Sequence, residues 1–145
     1  MTLREQLLYY ISAGEIPTDP IRIMKGLFLF TQAVNEGKLS GQEETFSFSA
    51  MSYGPCAPAV YGELQTLVHA GHVREEAVPG QSWSRYSATT NGRREARTIE
   101  LKTPNEITSF LRELRAWCDA HSFSSLLKAV YEAYPDFAVN SVFKK

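Results

Sequence analysis

The segment that follows Asp19 constrains the fold more than any other part of the chain. Asp19 is a favoured N-cap residue, and Pro20 suits the first helical position, where its missing N–H leaves no bond unmade. The pattern therefore predicts a helix over Pro20–Asn35, which Gly37 ends. Its apolar residues are Ile21, Ile23, Met24, Leu27, Phe28, Leu29, Phe30 and Val34. An apolar face this broad predicts a central helix that other elements cover on most sides.

The composition is that of one globular domain in a reducing compartment. The chain has 145 residues, of which 43% are hydrophobic and 21% charged, and this length is enough for one core. No apolar run approaches the length of a membrane span, and the first residues show no secretory signal pattern. Two cysteines, Cys56 and Cys118, do not make a disulfide framework. We therefore expect a cytoplasmic protein with two free thiols and no membrane association.

Hydrophobic periodicity and turn residues predict the other elements. Helices are expected at 2–13, 55–69, 105–120 and 123–134, and a short strand at 46–48. Alternation of period two at 72–78 and 82–88 predicts a β-hairpin with its turn at 79–81. Gly71 suits the left-handed position that ends the third helix, and residues 90–93 begin a further helix or turn.

This order of elements predicts an α+β, mostly helical fold of the winged-helix type. Helix, helix, strand, helix and β-hairpin would occupy residues 1–102, with the third helix as recognition helix and the hairpin as wing. Residues 103–145 would add two C-terminal helices. These helices either pack on the first unit or form a homodimer interface.

Three short motifs follow one another in the first half of the chain. Met24-Lys25-Gly26-Leu27-Phe28 precedes Tyr53-Gly54-Pro55, which leads into Pro58-Ala59-Val60-Tyr61. In this order they resemble the Panacea antitoxin domain and a looser group of small winged-helix-like proteins of prokaryotes. The segment 86–92 is similar to the one that closes the wing in many winged-helix regulators, with Ala88 in place of leucine. The resemblance implies the fold, while both toxin neutralisation and DNA-binding regulation occur among look-alikes.

The first functional hypothesis is a DNA-binding regulator. The net charge is −1, and the basic stretch is 74–102, with six basic and four acidic residues. On the outward face of the third helix, Gln65 and Thr66 are residue types that can contact base edges. That face carries no cation for the phosphates. Phosphate contacts to double-stranded DNA would come from Arg74, Arg85, Arg93, Arg94 and Arg97. In the alternative interpretation these arginines form a solvated face, partly paired with Glu75, Glu76, Glu95 and Glu100.

The second hypothesis is a protein-binding module of antitoxin type, or a component of a defence or regulatory complex. Trp83 lies near the predicted hairpin tip, where burial is difficult. An exposed tryptophan is a typical hot spot of a protein interface. The third helix, with His69, and the hairpin, with Trp83, would then cover a protein partner. The alternative for Trp83 is that it packs back onto the terminal helices.

No motif indicates catalysis, so we expect no enzyme activity, no catalytic residue and no cofactor. Cys118 and His121, with His69 and His72, are residue types that bind zinc. Their spacing differs from that of structural zinc sites, so we expect no metal. Lys25 lies on a very apolar helix, and we expect its stem to cover apolar surface while its amine reaches water.

Overall fold

A computed structural model describes residues 1–42 and 44–142 of this chain. Within them the fold is α+β, with six α-helices, one 3-10 helix and two small antiparallel sheets. The elements are α1 (Leu3–Ser12), α2 (Pro20–Asn35), β1 (Ser49–Met51), β2 (Gly54–Cys56), α3 (Ala59–His69), β3 (Val73–Ala77), β4 (Ser84–Ala88), α4 (Thr90–Leu101), α5 (Asn105–Asp119), α6 (Phe123–Ala133) and a 3-10 helix (Pro135–Ala138). None of these helices has the length and apolar character that crossing a bilayer requires. Residues 143–145 of the predicted C-terminal extension lie outside the described residues.

The helix α2 is the centre of the fold, as its apolar width predicts. Its N-terminus is as expected: the Asp19 carboxylate accepts a hydrogen bond from the Arg22 amide at 2.9 Å, and Pro20 is the first helical residue. The helices α1, α5 and α6 and the strand β2 pack around it. Its side chains therefore contribute to both apolar clusters of the protein.

The two apolar clusters join the C-terminal helices to the rest of the chain. Ile107 and Leu111 of α5 lie in the same core as the buried residues of α1, α2 and α3. A second, smaller cluster joins Phe28 of α2 to Leu127 and Tyr131 of α6. The helix α5 thus completes the main core, and α6 packs on α2 through the second cluster.

The predicted β-hairpin is confirmed, with Val73 opposite Ala88 and Ala77 opposite Ser84. Gly71 has φ +77° directly after α3 and lets the chain turn into β3, as expected. Thr18, in the loop between α1 and α2, exchanges two backbone hydrogen bonds with Tyr86 at 2.9 and 2.8 Å. Thr18 therefore extends the sheet by one residue on the β4 side.

The segment before α3 differs from the prediction. Residues 46–48 form no strand, because Phe46 is buried in the main core and Phe48 packs edge-on against Phe28. The strands are β1 and β2 instead, with Ser49 opposite Cys56. The predicted start of the third helix at residue 55 is wrong, since that residue lies in β2 and α3 begins only at Ala59.

Lys25 does not extend to solvent. Its side chain is 2% exposed, and its ammonium donates a hydrogen bond to the Pro55 carbonyl at 3.0 Å. The expectation of a water-exposed amine is wrong because β2, thirty residues later in the chain, covers the end of the side chain. Burial lowers the pKa of Lys25 to about 8.

This buried amine predicts a pH-dependent stability. The pKa of Lys25 is about 8 in the folded chain and an ordinary 10.5 when unfolded, so between these values the unfolded chain binds more protons. We expect the free energy of unfolding of wild type, minus that of Lys25→Met, to rise from pH 8 to 10.5. The rise is on the order of 3 kcal/mol, at about 1.4 kcal/mol for each pKa unit.

Urea unfolding of both proteins at several pH values measures this difference. Subtracting the two curves cancels the tyrosine titrations that the proteins share. A difference that stays constant across the range would contradict a depressed pKa for Lys25.

Candidate binding surface and arginine cleft

The outward face of α3 is exposed and carries no lysine or arginine, as the sequence predicts. Its residues are Ala59, Gly62, Gln65, Thr66 and His69. The opposite stripe, Val60, Leu64 and Leu67, is buried. Glu63, at the edge, forms an ion pair with Arg4 of α1 at 2.8 Å. We call this face together with β3 and β4 the α3–hairpin surface.

Tyr61 belongs to this surface and not to the core. Helical periodicity predicts an inner face of Val60, Tyr61, Leu64, Leu67 and Val68. This prediction is wrong for Tyr61, because the buried stripe is narrow and leaves its side chain 48% exposed. Partial burial raises the pKa of the Tyr61 phenol, so it is neutral at physiological pH. Tyr61 is therefore an exposed aromatic residue that the periodicity had assigned to packing.

A polar network holds α3 against the hairpin. The Glu75 carboxylate accepts hydrogen bonds from the Tyr86 hydroxyl at 2.6 Å and from the Gln65 amide at 3.3 Å. Burial and the adjacent Glu75 raise the pKa of Tyr86 well above its ordinary value, so its hydroxyl stays a donor. The Thr66 hydroxyl donates to the Gly62 carbonyl at 3.1 Å. Both residues that were predicted to lie near base edges thus have intramolecular partners.

Trp83 lies at the hairpin tip and remains 40% exposed. Its carbonyl accepts a hydrogen bond from the Val78 amide across the turn at 3.4 Å. The helix α3 runs antiparallel to β3, since Gln65 reaches Glu75 while the helix ends just before Val73. Tyr61, one turn before Gln65, therefore lies toward the tip that carries Trp83.

The five predicted phosphate-binding arginines have no carboxylate partner. Within residues 1–42 and 44–142, no Asp or Glu lies at ion-pair distance from Arg74, Arg85, Arg93, Arg94 or Arg97. The alternative interpretation of a solvated face agrees with the exposure of Arg74, Arg85, Arg94 and Arg97, whereas its partial pairing with glutamates is not found for these residues. Glu75 is bound by Tyr86 and Gln65, and Glu100 pairs with Arg112 at 2.7 Å.

These arginines do not lie on one surface. The hairpin register places Arg74 and Arg85 on its outer face, with Glu76 directly opposite Arg85. Arg93, Arg94 and Arg97 lie on α4, which packs against α1 as α3 does but forms its ion pair with a different α1 residue. The contacts of α1 show this separation, because Arg4 binds Glu63 of α3 whereas Glu5 binds Lys102 of α4. The structure therefore does not bring the α4 arginines together with Gln65 and Thr66.

Two of the α4 arginines line a cleft of about 220 Å³ between α1, α4 and α5. We call it the arginine cleft, and its lining residues are Tyr9, Ser12, Ala13, Arg93, Ala96, Arg97, Glu100 and Arg112. Arg93 donates to the Ser12 carbonyl at 3.3 Å. Arg112 donates to the Tyr9 hydroxyl at 2.6 Å and to Glu100 at 2.7 Å. Arg94 is not among the lining residues and donates to the Asn91 side chain.

Arg112 is the functional candidate that the sequence reasoning missed. It lies on α5, and its position on an amphipathic helix indicated only an exposed residue. Helix packing brings it opposite Arg93 and Arg97, an arrangement for which the chain shows no local signal.

The cysteine and histidine residues show no metal-binding arrangement in the described part of the chain. No cluster of three or more His, Cys, Asp or Glu side chains there is placed to hold an ion. Burial raises the pKa of the Cys118 thiol to about 11 and also raises that of Cys56.

Comparison with known proteins found no family model and no curated protein that matches this chain.

Proposed function

We propose that this chain is a non-catalytic protein-binding module that contacts its partner through the α3–hairpin surface. One observation carries the proposal: Tyr61 and Trp83, 48% and 40% exposed, lie toward the hairpin tip, at one end of a helix face without charge. Tyrosine and tryptophan are enriched among interface hot spots, and charged residues are depleted from interface centres. The surface thus has the composition of a protein interface.

The order of the elements supports a winged-helix architecture for this module. Thr18 lies between the first two helices and pairs with β4, which pairs with β3, so the small sheet has the order Thr18, β4, β3. In winged helices a short strand between the first two helices pairs with the second wing strand in this order. The short β1–β2 hairpin between α2 and α3 is then an insertion.

A protein partner also agrees with the resemblance to the Panacea antitoxin domain. Members of that group include proteins that neutralise toxins. The partner in our proposal presents an uncharged patch with apolar groups for the two aromatic side chains, because charged residues are depleted from interface centres.

Affinity purification from the cells that produce the protein tests the proposal. Wild type, Tyr61→Ala, Trp83→Ala and the control Leu101→Ala serve as baits, since Leu101 is 90% exposed on α4. We expect wild type and the control to retain one stoichiometric protein, and each aromatic variant to retain at least about tenfold less. Circular dichroism establishes that all baits are folded. Equal retention by all four would contradict the proposal.

Double-stranded DNA is the second candidate, favoured by the five arginines without carboxylate partners. Arg74 and Arg85 on the outer face of the hairpin would contact phosphates, with Gln65 and Thr66 near base edges. It ranks second because the exposed α3 face offers no cation for the backbone, and phosphate contacts dominate DNA affinity.

Fluorescence anisotropy of a labelled duplex between about 50 and 200 mM salt tests this candidate. If DNA is the partner, affinity falls steeply with salt and falls further in Arg74→Ala and Arg85→Ala. The absence of binding at the lowest salt concentration would exclude it.

A further inference from the structure

We propose that the arginine cleft binds the terminal phosphate group of a small phosphorylated ligand. Arg93 and Arg97 of α4 and Arg112 of α5 line it together with one carboxylate, Glu100. Three guanidinium groups against one carboxylate leave two positive charges in a recess of about 220 Å³. Guanidinium groups bind phosphate oxygens through paired N–H donors, so this is an anion site by charge and by hydrogen bonding.

The donors that a ligand needs are available. Arg97 has neither a hydrogen-bond acceptor nor an ion-pair partner among the described residues. Arg93 makes one hydrogen bond, through a single nitrogen, to the Ser12 carbonyl. Since a guanidinium carries five N–H donors, most donors of both residues remain free.

The carboxylate in the cleft is already neutralised by its neighbours. Glu100 accepts hydrogen bonds from Arg112 at 2.7 Å and from the Tyr9 hydroxyl at 2.5 Å. Burial and the adjacent Glu100 raise the pKa of Tyr9, so the phenol adds no negative charge. Glu100 therefore orients Arg112 and leaves the charge of Arg93 and Arg97 for a ligand.

A terminal phosphate fits this site better than the phosphate of a nucleic acid backbone. A phosphate monoester carries about −1.5 to −2 at neutral pH, which matches the two uncompensated charges, whereas a backbone diester carries one charge. The cleft is a recess between three helices, which admits a terminal group more readily than a continuous strand. No residue of α3 or of the hairpin lines the cleft, so this proposal does not depend on the proposed function.

Titration of the ¹⁵N-labelled full chain with ribose 5-phosphate tests the proposal, with the arginine Nε–H signals as readout. We expect the signals of Arg93, Arg97 and Arg112 to shift saturably, with a Kd of about 1 mM or below. Dimethyl phosphate, a diester, should bind at least about tenfold more weakly. Sodium chloride at equal ionic strength controls for screening.

Two variants on the same helix make the test specific. Arg97→Ala should weaken binding at least about tenfold, while Arg94→Ala should leave it within about twofold, because Arg94 lies outside the cleft. Both residues are exposed, and circular dichroism verifies that the variants fold. The proposal is overturned if ribose 5-phosphate causes no saturable shift, if dimethyl phosphate binds equally well, or if the two variants lose affinity equally.

Discussion

Replacing Arg115 by alanine is expected to lower the free energy of unfolding by about 3–5 kcal/mol. Its side chain is 1% exposed, and its Nε donates to both oxygens of Asp119, at 3.1 and 2.9 Å. The remaining nitrogens donate to the carbonyls of Tyr10, Ile11 and Ile16. The variant leaves a carboxylate and three carbonyls without these donors, and unpaired buried polar groups are strongly destabilising.

Arg112→Ala is the matched control, because it removes an arginine from the same helix. Its ion pair with Glu100 is largely exposed, and such pairs contribute about 1 kcal/mol or less. Arg115→Lys should behave like the alanine variant, since one ammonium group cannot reach four acceptors on opposite sides. Urea unfolding gives all three values. A smaller loss for Arg115→Ala than for Arg112→Ala would refute this role of Arg115.

Gly92→Ala is expected to lower the free energy of unfolding by about 3 kcal/mol. A Cβ atom at this position would lie 1.9 Å from the carbonyl oxygen of His72, which is backbone and cannot rotate away. Thr89 holds the two segments at this distance, because its amide donates to His72 and its hydroxyl to Gly71. Relief of the clash requires α4 to separate from the base of the hairpin.

Gly62→Ala provides the opposite result in the same protein. Gly62 lies in α3, and a Cβ atom there meets nothing within 4 Å of the described chain. Alanine should therefore stabilise the helix by about 0.5–1 kcal/mol. Thermal unfolding of both variants compares them directly. If both substitutions change the free energy of unfolding in the same direction, the close approach of His72 is not the reason that residue 92 is a glycine.

The elements that sequence reasoning predicts well are those with local determinants. The helix α2 has its N-cap and N1 residues adjacent to it, and its predicted limits are confirmed. The hairpin is specified by alternation and by its turn, and the end of α3 by Gly71. In each case a few neighbouring residues fix the backbone, so the prediction needs no knowledge of tertiary contacts.

The predictions that failed depend on residues far apart in the chain. Lys25 is buried because Pro55 covers it, and no feature near Lys25 indicates this. Residue 55 lies in a strand and not in the third helix, since residues 54–56 pair with β1 and side chains of α6 and Lys25 pack against Gly54. The role of Arg115 was not predicted at all, because it reads as one charged residue on a helix and its three carbonyl acceptors lie about a hundred residues earlier.

The candidate site was predicted in part for the same reason. Helical periodicity correctly placed Gln65, Thr66 and His69 on the exposed face of α3. Trp83 is 40% exposed at the hairpin tip, which agrees with the first of its two alternatives. The sequence could not predict which arginines lie near Gln65 and Thr66, because this depends on how α3 and α4 pack around α1. Their roles in binding remain predictions.

The contact between Arg115 and the end of α1 also sets the order of events during synthesis. The Tyr10 carbonyl and Arg115 are 105 residues apart, so at about 5–20 residues per second the acceptor leaves the ribosome about 5–20 s before its donor. During this interval α2 lacks the cover that α5 supplies. The nascent chain therefore exposes apolar surface that chaperones recognise, and its core closes only when the last third of the chain emerges.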